Sequence, residues 1–265
     1  MRNIGITGAR GVIGSILRRK LTAGGHDCSC FDGDVTDPTD VREWISGTRP
    51  DLVFHLAAVV PTAVVKDSPL RAYAVNVAGT IHLLNEIAGL PQQRTWVFYA
   101  SSAHVYASSS GPISEDSAIA PVSLYGKTKY LGEDVCTEAA KAGKYQIDVC
   151  IGRIFSYFHE SQRVPFLYPT MLDRLNKEDL RQPFFLHGAD SVRDFLNAEQ
   201  VADILVKLMH RRSKGIFNIA SGKGSRIRDF VQSLTPVPLN IETNGEKDFL
   251  VANIEKLGRE LERQP

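Results

Sequence analysis

The sequence predicts an α/β fold, a doubly wound parallel sheet with helices on both faces and a small C-terminal region laid across one edge. Three observations carry this prediction. Short apolar runs recur at 3–7, 26–31, 52–56, 95–100, 147–154 and 215–219. Stretches of helical period lie between them, and that alternation marks a parallel sheet covered on both faces. A glycine-rich turn, Thr7-Gly-Ala-Arg-Gly-Val-Ile-Gly14, joins the first run to the first helical stretch.

Each element has its own reason. The helix over 11–23 ends at Gly24-Gly25, a usual helix stop. In the run 26–31 alternate residues share a face, so Cys28 and Cys30 point the same way as small apolar side chains. Their Cys-x-Cys spacing is not that of a zinc or redox site, and four cysteines in 265 residues make no disulfide framework. No metal is expected. Asp37 and Pro38 read as the cap and first residue of a helix covering 41–46. Asp51-Leu-Val-Phe-His-Leu is almost continuously apolar because a buried parallel strand faces helices on both sides. Helices are predicted over 70–88, 124–142, 165–176, 198–209 and 227–234. After Phe155 the composition changes: Phe166, Tyr168, Pro169, Phe184 and Phe185 cluster with short elements. Residues 1–155 therefore read as a dinucleotide-binding core. Residues 156–265 read mainly as a substrate-binding cap over the sheet's carboxyl edge, with some elements returning to the core. His55 and His82 fit packing or capping, while His26, His187 and His210 carry no signal.

Composition excludes several classes. The chain has 31 Lys and Arg against 30 Asp and Glu, for a net charge of +1, with the basic residues scattered. Nucleic acid is not an expected partner. The longest apolar run, 52–60, is far short of the roughly 20 residues that cross a bilayer. No membrane span is expected, and with no secretory signal at the start the expected location is the cytoplasm.

The glycine turn is the first functional signal. Gly8 permits the tight turn and Gly11 a close backbone approach to a pyrophosphate, while Gly14 lets the helix pack closely on the sheet. Amides at the helix start, around Val12 and Ile13, face the phosphates. Asp32, at the end of the second strand, stands where an acidic residue accepts hydrogen bonds from the adenosine ribose, which favours NAD. Arg10, within the turn, could pair with a ribose 2′-phosphate and favours NADP. The two signals conflict, so the cofactor is NAD or NADP. Asp34 and Val35 could hold the adenine by a hydrogen bond and an apolar contact.

The second signal lies in Tyr99-Ala-Ser-Ser-Ala-His-Val-Tyr106 and Tyr125-Gly-Lys-Thr-Lys129. Residues i and i+4 share a helix face, so an ammonium on Lys129 beside the Tyr125 phenol should lower the phenol pKa and make it an acid/base near neutral pH. Ser102 is placed to hold a substrate oxygen.

Together these segments resemble the extended short-chain dehydrogenase/reductase family, whose members modify nucleotide-linked sugars on a Rossmann-type fold. The resemblance spans nearly the whole chain: TGARGVIG at 7–14, DVTD at 34–37, HLAA at 55–58, NVAGT at 76–80, SSAHVY at 101–106, YGKTK at 125–129, RIFS at 153–156, RDFLNAEQVA at 193–202 and FNIASGKGSRIRDF at 217–230. It implies that Ser102 polarises the sugar oxygen, Tyr125 transfers the proton and Lys129 supports both. It also implies that Leu56, Ala57, Ala58 and Ser101 line the cofactor and that Ile154 and Phe155 adjoin the nicotinamide. Arg193 would meet a nucleotide diphosphate, or else form an ion pair with Asp194. Ser156, where the family usually has asparagine, and His159 are placed toward the sugar.

Departures from the family pattern narrow the reaction. The family's 4,6-dehydratases carry an Asp-Glu pair after the catalytic hydroxyl residue, because eliminating water needs its own base and acid. This chain has Ala103-His104, which disfavours dehydration. The short run from Cys28 to Asp37 is similar to deoxysugar-nucleotide reductases, so the leading expectation is NAD(P)H-dependent reduction of a 4-keto-6-deoxyhexose at C4. The alternatives are a 4-epimerase with tightly held NAD and a non-catalytic dinucleotide-binding protein. His104 sits where reductases forming GDP-fucose place an acid/base cysteine, so it either moves a proton or binds a sugar hydroxyl. The resemblance further implies a homodimer built on the helices at 70–88 and 124–142.

Overall fold

The computed structural model describes residues 2–60, 62–91 and 94–263. In chain order the strands are β1 (Asn3–Thr7), β2 (Asp27–Cys30), β3 (Leu52–His55), β4 (Thr95–Ser102), β5 (Ile147–Ile154), β6 (Ser156–Phe158), β7 (Phe184–Phe185), β8 (Val192–Asn197), β9 (Gly215–Ile219), β10 (Gly224–Arg226), β11 (Ile241–Glu242) and β12 (Phe249–Leu250). The helices are α1 (Val12–Ala23), α2 (Pro38–Thr48), α3 (Thr62–Asp67), α4 (Pro69–Tyr73), α5 (Gly79–Ala88), α6 (Leu124–Lys141), α7 (Leu167–Lys177), α8 (Ala198–Arg211), α9 (Ile227–Gln232) and α10 (Glu255–Glu262).

Six parallel strands form the central sheet in the order β2-β1-β3-β4-β5-β9. The fold is Rossmann-type. The chain runs outward from β1 to β2 and then returns past β1 to β3, and this reversal opens a crevice at the carboxyl ends of β1 and β3. Strand alternation divides the core between two faces. Leu52, Phe54, Trp96 and Phe98 meet α1, α8 and α10, whereas Val53, Val97 and Tyr99 meet α2, α5 and α6. Large side chains such as Trp96, Phe54 and Phe98 are fully buried, each stabilising the fold by about 1.5–3 kcal/mol. The Trp96 indole N–H is satisfied by the Ser213 carbonyl at 2.8 Å. Cys28 and Cys30 are free thiols that pack together against the first of these clusters, in keeping with their shared strand face.

The helix expected over 70–88 is interrupted. Between α4 and α5, Ala74–Ala78 forms a π-helical segment, and there Asn76 is buried. Its side chain accepts from the Val59 amide at 2.8 Å and donates to the Val59 carbonyl at 3.1 Å and to Thr128 Oγ1 at 3.0 Å. The wider turn carries one polar side chain that fastens the loop after β3 and the N-terminal part of α6. Asp37 caps α2 as expected, accepting from the Thr39 amide at 2.8 Å, but α2 runs past the predicted 41–46.

C-terminal elements serve both regions. α8 and β9 complete the core, and α8 starts at the end of β8 with a capping box of Asn197 and Gln200. Outside the main sheet, β8 pairs with β6, β10 and β12, and β7 pairs with β11. Asp194 on β8 is fully buried. It does not pair with Arg193, contrary to the alternative raised from sequence, because its two oxygens are already engaged. They accept from Ser221 N at 2.8 Å, Ser221 Oγ at 2.6 Å, Gly222 N at 2.8 Å and Ala252 N at 3.3 Å.

Candidate active site

One cleft of about 1260 Å³ runs from the glycine turn, across the carboxyl ends of the strands, to the cap. It exceeds the roughly 300–1,000 Å³ of a pocket for a single small molecule, as a site for a dinucleotide and a second ligand must.

At one end the chain is shaped to admit a pyrophosphate. Gly8 has φ +70°, and a Cβ there would lie 2.7 Å from the Ala57 amide nitrogen. A Cβ at Gly14 would lie 2.2 Å from the Gly8 carbonyl oxygen, so only glycine lets α1 begin this close to the strand. The N-cap of α1 is Gly11, which offers no side-chain cap, and no acidic residue occupies the first turn. The helix-start amides and dipole therefore face the cleft. These residues fit NAD(P): Gly8 to Ile13 would hold the pyrophosphate, and Leu56, Ala57 and Ala58 form the adjoining wall.

Asp32 and Arg10 are both exposed and both line this end, so the conflict between them persists in three dimensions. Val35 lines the cleft as expected. The Asp34 carboxylate is tied into its own turn, accepting from the Thr36 amide and hydroxyl at 2.9 Å each, and these bonds hold it below its ordinary pKa. Both bonds use one oxygen of the carboxylate, and Asp34 lines the cleft. Asp40 and Arg71, which the sequence reading missed, also line this end. Asp40 accepts from the Asp34 amide at 2.8 Å, and Asp34 feels the charge of Arg71. Nothing in the local sequence around Arg71 could have placed it here.

The chemical end is built on β4 and α6. Ser102 closes β4, where its hydroxyl accepts from the His104 amide at 3.2 Å. Ser123 caps α6 by accepting from the Gly126 amide at 3.1 Å, which fixes the helix start two residues before Tyr125. Gly126 is a contact point: a Cβ there would fall 2.1 Å from the His104 carbonyl oxygen. Backbone therefore meets backbone, and Tyr125 is drawn against Ser102. The Ser102 hydroxyl interacts with the phenol and favours its ionisation, but burial outweighs this and pushes the Tyr125 pKa well up. The expected lowering by Lys129 is not found. Lys129 Nζ lies instead over the Tyr99 ring, 4.4 Å from its centroid, and burial lowers its pKa to about 8. Gly132 provides room for that ring, since a Cβ there would lie 1.9 Å from the Tyr99 hydroxyl.

His104 lines the cleft with its ring edge-on to Tyr125, centroids 5.7 Å apart. Burial lowers its pKa, helped by Arg193 and opposed by Asp248. Arg193 also lines the cleft, gripped by the Asp248 carboxylate at 2.7 and 2.9 Å. Ile154, Phe155 and Ser156 are on the wall as expected. One expectation fails. His159 is not on the wall, because its Nδ1 is bound to the Ser161 hydroxyl at 2.7 Å and amide at 3.1 Å, and Gln162 lines the cleft in its stead. Ser101 lines the cleft, and its hydroxyl donates to Glu133 on α6.

His55 is structural, as read from sequence. It is buried, with Nδ1 2.7 Å from Thr7 Oγ1 and Nε2 3.0 Å from Thr80 Oγ1, and burial lowers its pKa to about 3. The neutral ring ties β1 and β3 to α5. Among the described residues no His, Cys, Asp or Glu cluster could hold a metal, and no helix is long and apolar enough to cross a membrane.

A doubly wound sheet with a phosphate-binding first turn, whose cleft also brings serine, tyrosine and lysine together, defines an enzyme of the extended short-chain dehydrogenase/reductase class that uses NAD or NADP. Residues 4–220 match the sequence model of the NAD dependent epimerase/dehydratase family, and the chain belongs to that family. It is 28% identical over 244 residues to a GDP-6-deoxy-D-talose 4-dehydrogenase from Aggregatibacter actinomycetemcomitans, covering 89% of this chain and 80% of the relative. It is 30% identical over 257 residues to a UDP-glucose 4-epimerase from Mycoplasma genitalium, covering 85% and 74%. Among solved structures, RMD from Pseudomonas aeruginosa complexed with NADPH superposes with a TM-score of 0.87 at 21% identity, covering 98% of this chain and 92% of that one.

Proposed function

We propose that the chain reduces a nucleotide-linked 4-keto-6-deoxyhexose at C4, with reduced NAD(P) as hydride source. The observation that carries this reading is the Tyr125 phenol set against the Ser102 hydroxyl at the chemical end of the dinucleotide cleft. A phenol whose pKa burial pushes up is a proton donor at neutral pH, and reduction needs a donor where oxidation needs a base. The C4 carbonyl gains hydride at carbon and the Tyr125 proton at oxygen. Ser102 holds that oxygen, and the Lys129 ammonium stabilises negative charge as it forms there. Arg193 faces the diphosphate, with Asp248 fixing its guanidinium.

The test starts from the protein as purified. Reductase activity predicts little bound nucleotide and a ketosugar-dependent loss of reduced-nicotinamide absorbance. The second reading, a 4-epimerase, is favoured by the 30% identity to a UDP-glucose 4-epimerase and by the Asp32 carboxylate in the cleft. It predicts near-equal bound NAD and interconversion of 4-epimers with no cofactor added. Binding without either turnover would leave a non-catalytic dinucleotide-binding protein.

His104 is assigned the proton at the carbon beside the ketone. His104→Ala is expected to reduce ketosugar at a rate within a few-fold of wild type but to lose exchange of solvent deuterium into the ring. Undiminished exchange would reduce the residue to a sugar-binding role.

The homodimer is proposed on the α4–α6 face. Leu70, Tyr73, Ile81, Tyr130 and Leu131 are exposed there, and a groove of about 430 Å³ between α5 and α6 is lined by Ile81, Leu84 and Val135. Light scattering is expected to give twice the chain mass, and a monomeric mass at working concentration refutes the dimer.

A further inference from the structure

One turn beyond Lys129 on α6, Glu133 is buried, with 2% of its surface exposed, and it is not part of the cleft wall. Its carboxylate accepts from Arg153 Nε at 3.0 and 3.2 Å, from an Arg153 terminal nitrogen at 2.7 Å and from the Ser101 hydroxyl. Arg153, on β5 and 3% exposed, also donates to the Tyr106 hydroxyl at 2.9 Å and the Glu115 carbonyl at 3.0 Å. The Tyr106 hydroxyl in turn donates to Asn218 Oδ1 at 2.7 Å. A buried ion pair of this kind is weak evidence of stabilisation, since desolvating two charges offsets most of their attraction. Its placement needs another reason.

The surroundings of Lys129 supply one. Its ammonium is buried, and among the described residues it forms no ion pair. The titratable groups that face it are Tyr125, Glu133 and Cys136 from α6, Tyr99 from β4 and His55 from β3. Burial raises the pKa of Tyr99, Tyr125 and Cys136 and lowers that of His55, so all four are neutral around pH 8. That leaves the carboxylate of Glu133, one turn along the same helix and also buried, as the negative charge acting on Lys129. The same carboxylate, through Ser101, also holds the end of the strand that carries Ser102.

We infer that Glu133, held in place by Arg153, is a positioning residue that keeps the Lys129 ammonium charged and binds the Ser102 strand end to the Tyr125 helix. This rests on the catalytic reading of Lys129 given above. Removing the negative charge makes the buried ammonium easier to deprotonate, so the proton leaves Lys129 at lower pH.

The experiment follows the ε-methylene resonance of isotope-labelled lysine in the full chain across pH, with Lys129→Met identifying the signal by its loss. Glu133→Gln is expected to move the Lys129 midpoint about one pH unit downward, and the alkaline limb of turnover should move with it. Glu133→Asp should return most of the shift. If Glu133→Gln does not fold because Arg153 is left unpaired, the neutral pair Glu133→Gln with Arg153→Met carries the test. It is expected to lower the midpoint by less than Glu133→Gln alone, because the Arg153 charge that partly offsets the carboxylate is removed with it. An unmoved midpoint in a folded variant overturns the inference, even if activity has fallen. A wild-type protein that reduces no ketosugar, with the shift still present in Glu133→Gln, would overturn the proposed reaction and leave the coupling of Glu133 to Lys129 intact.

Discussion

Tyr125→Phe is expected to lower kcat for ketosugar reduction by about 10²–10⁴-fold while leaving the affinity for reduced cofactor near that of wild type. The phenol lies against Ser102 on the cleft, placed to donate to an oxygen that Ser102 holds, and burial pushes its pKa up and so favours the protonated form. The phenylalanine ring fills the same space, so α6 stays against the end of β4 and the glycine-turn end is untouched. Single-turnover kinetics with the cofactor bound beforehand would check this. A variant within ten-fold of wild type would move the proton transfer to another group, and His104, edge-on to Tyr125, is next in line.

Asp194→Ala is expected to destabilise the fold by about 3–5 kcal/mol. The carboxylate is fully buried and serves three backbone amides and one hydroxyl. Truncation leaves the buried Ala252 amide without a partner, at about 1–3 kcal/mol, and removes the charge-assisted bonds that hold the half-buried Ser221 and exposed Gly222. Ser221 and Gly222 follow β9 of the six-stranded sheet while Ala252 follows β12 of the four-stranded sheet, so the loss also loosens the join between the two sheets. The urea midpoint is the measurement. Asp194→Asn, which keeps two of the acceptor positions only by turning an NH₂ toward a donor, should fall between wild type and alanine.

The parts that were legible in the sequence share a cause. Strand runs such as 147–154 and the glycine turn are local patterns, and the residues that define them are neighbours in the chain. Ser102, Tyr125 and Lys129 were legible because each lies in a short motif at a strand end or helix start, and the structure places all three on one cleft. What was not legible depends on distant chain. The Tyr125 pKa is set by what buries it, which i, i+4 spacing cannot report. The Ser101 hydroxyl is turned to Glu133, 32 residues away, and Asp194 bonds to residues 27 and more positions further on. His159 is the exception, misplaced by a local turn through Ser161. The interruption at Ala74–Ala78 was hidden for a different reason: a π segment keeps the helical look of its sequence and only its spacing changes.

The contact at Gly126 reaches beyond a single turnover. The distance between the serine strand and the tyrosine helix is set there by two main chains in touch, with no side chain between them to grow, shrink or tilt. Substitutions elsewhere in the core can accumulate without resetting that gap, as long as the glycine stays. A scaffold of this kind can exchange most of its sequence and change what its cap admits, because the spacing its chemistry needs does not depend on the residues that drift.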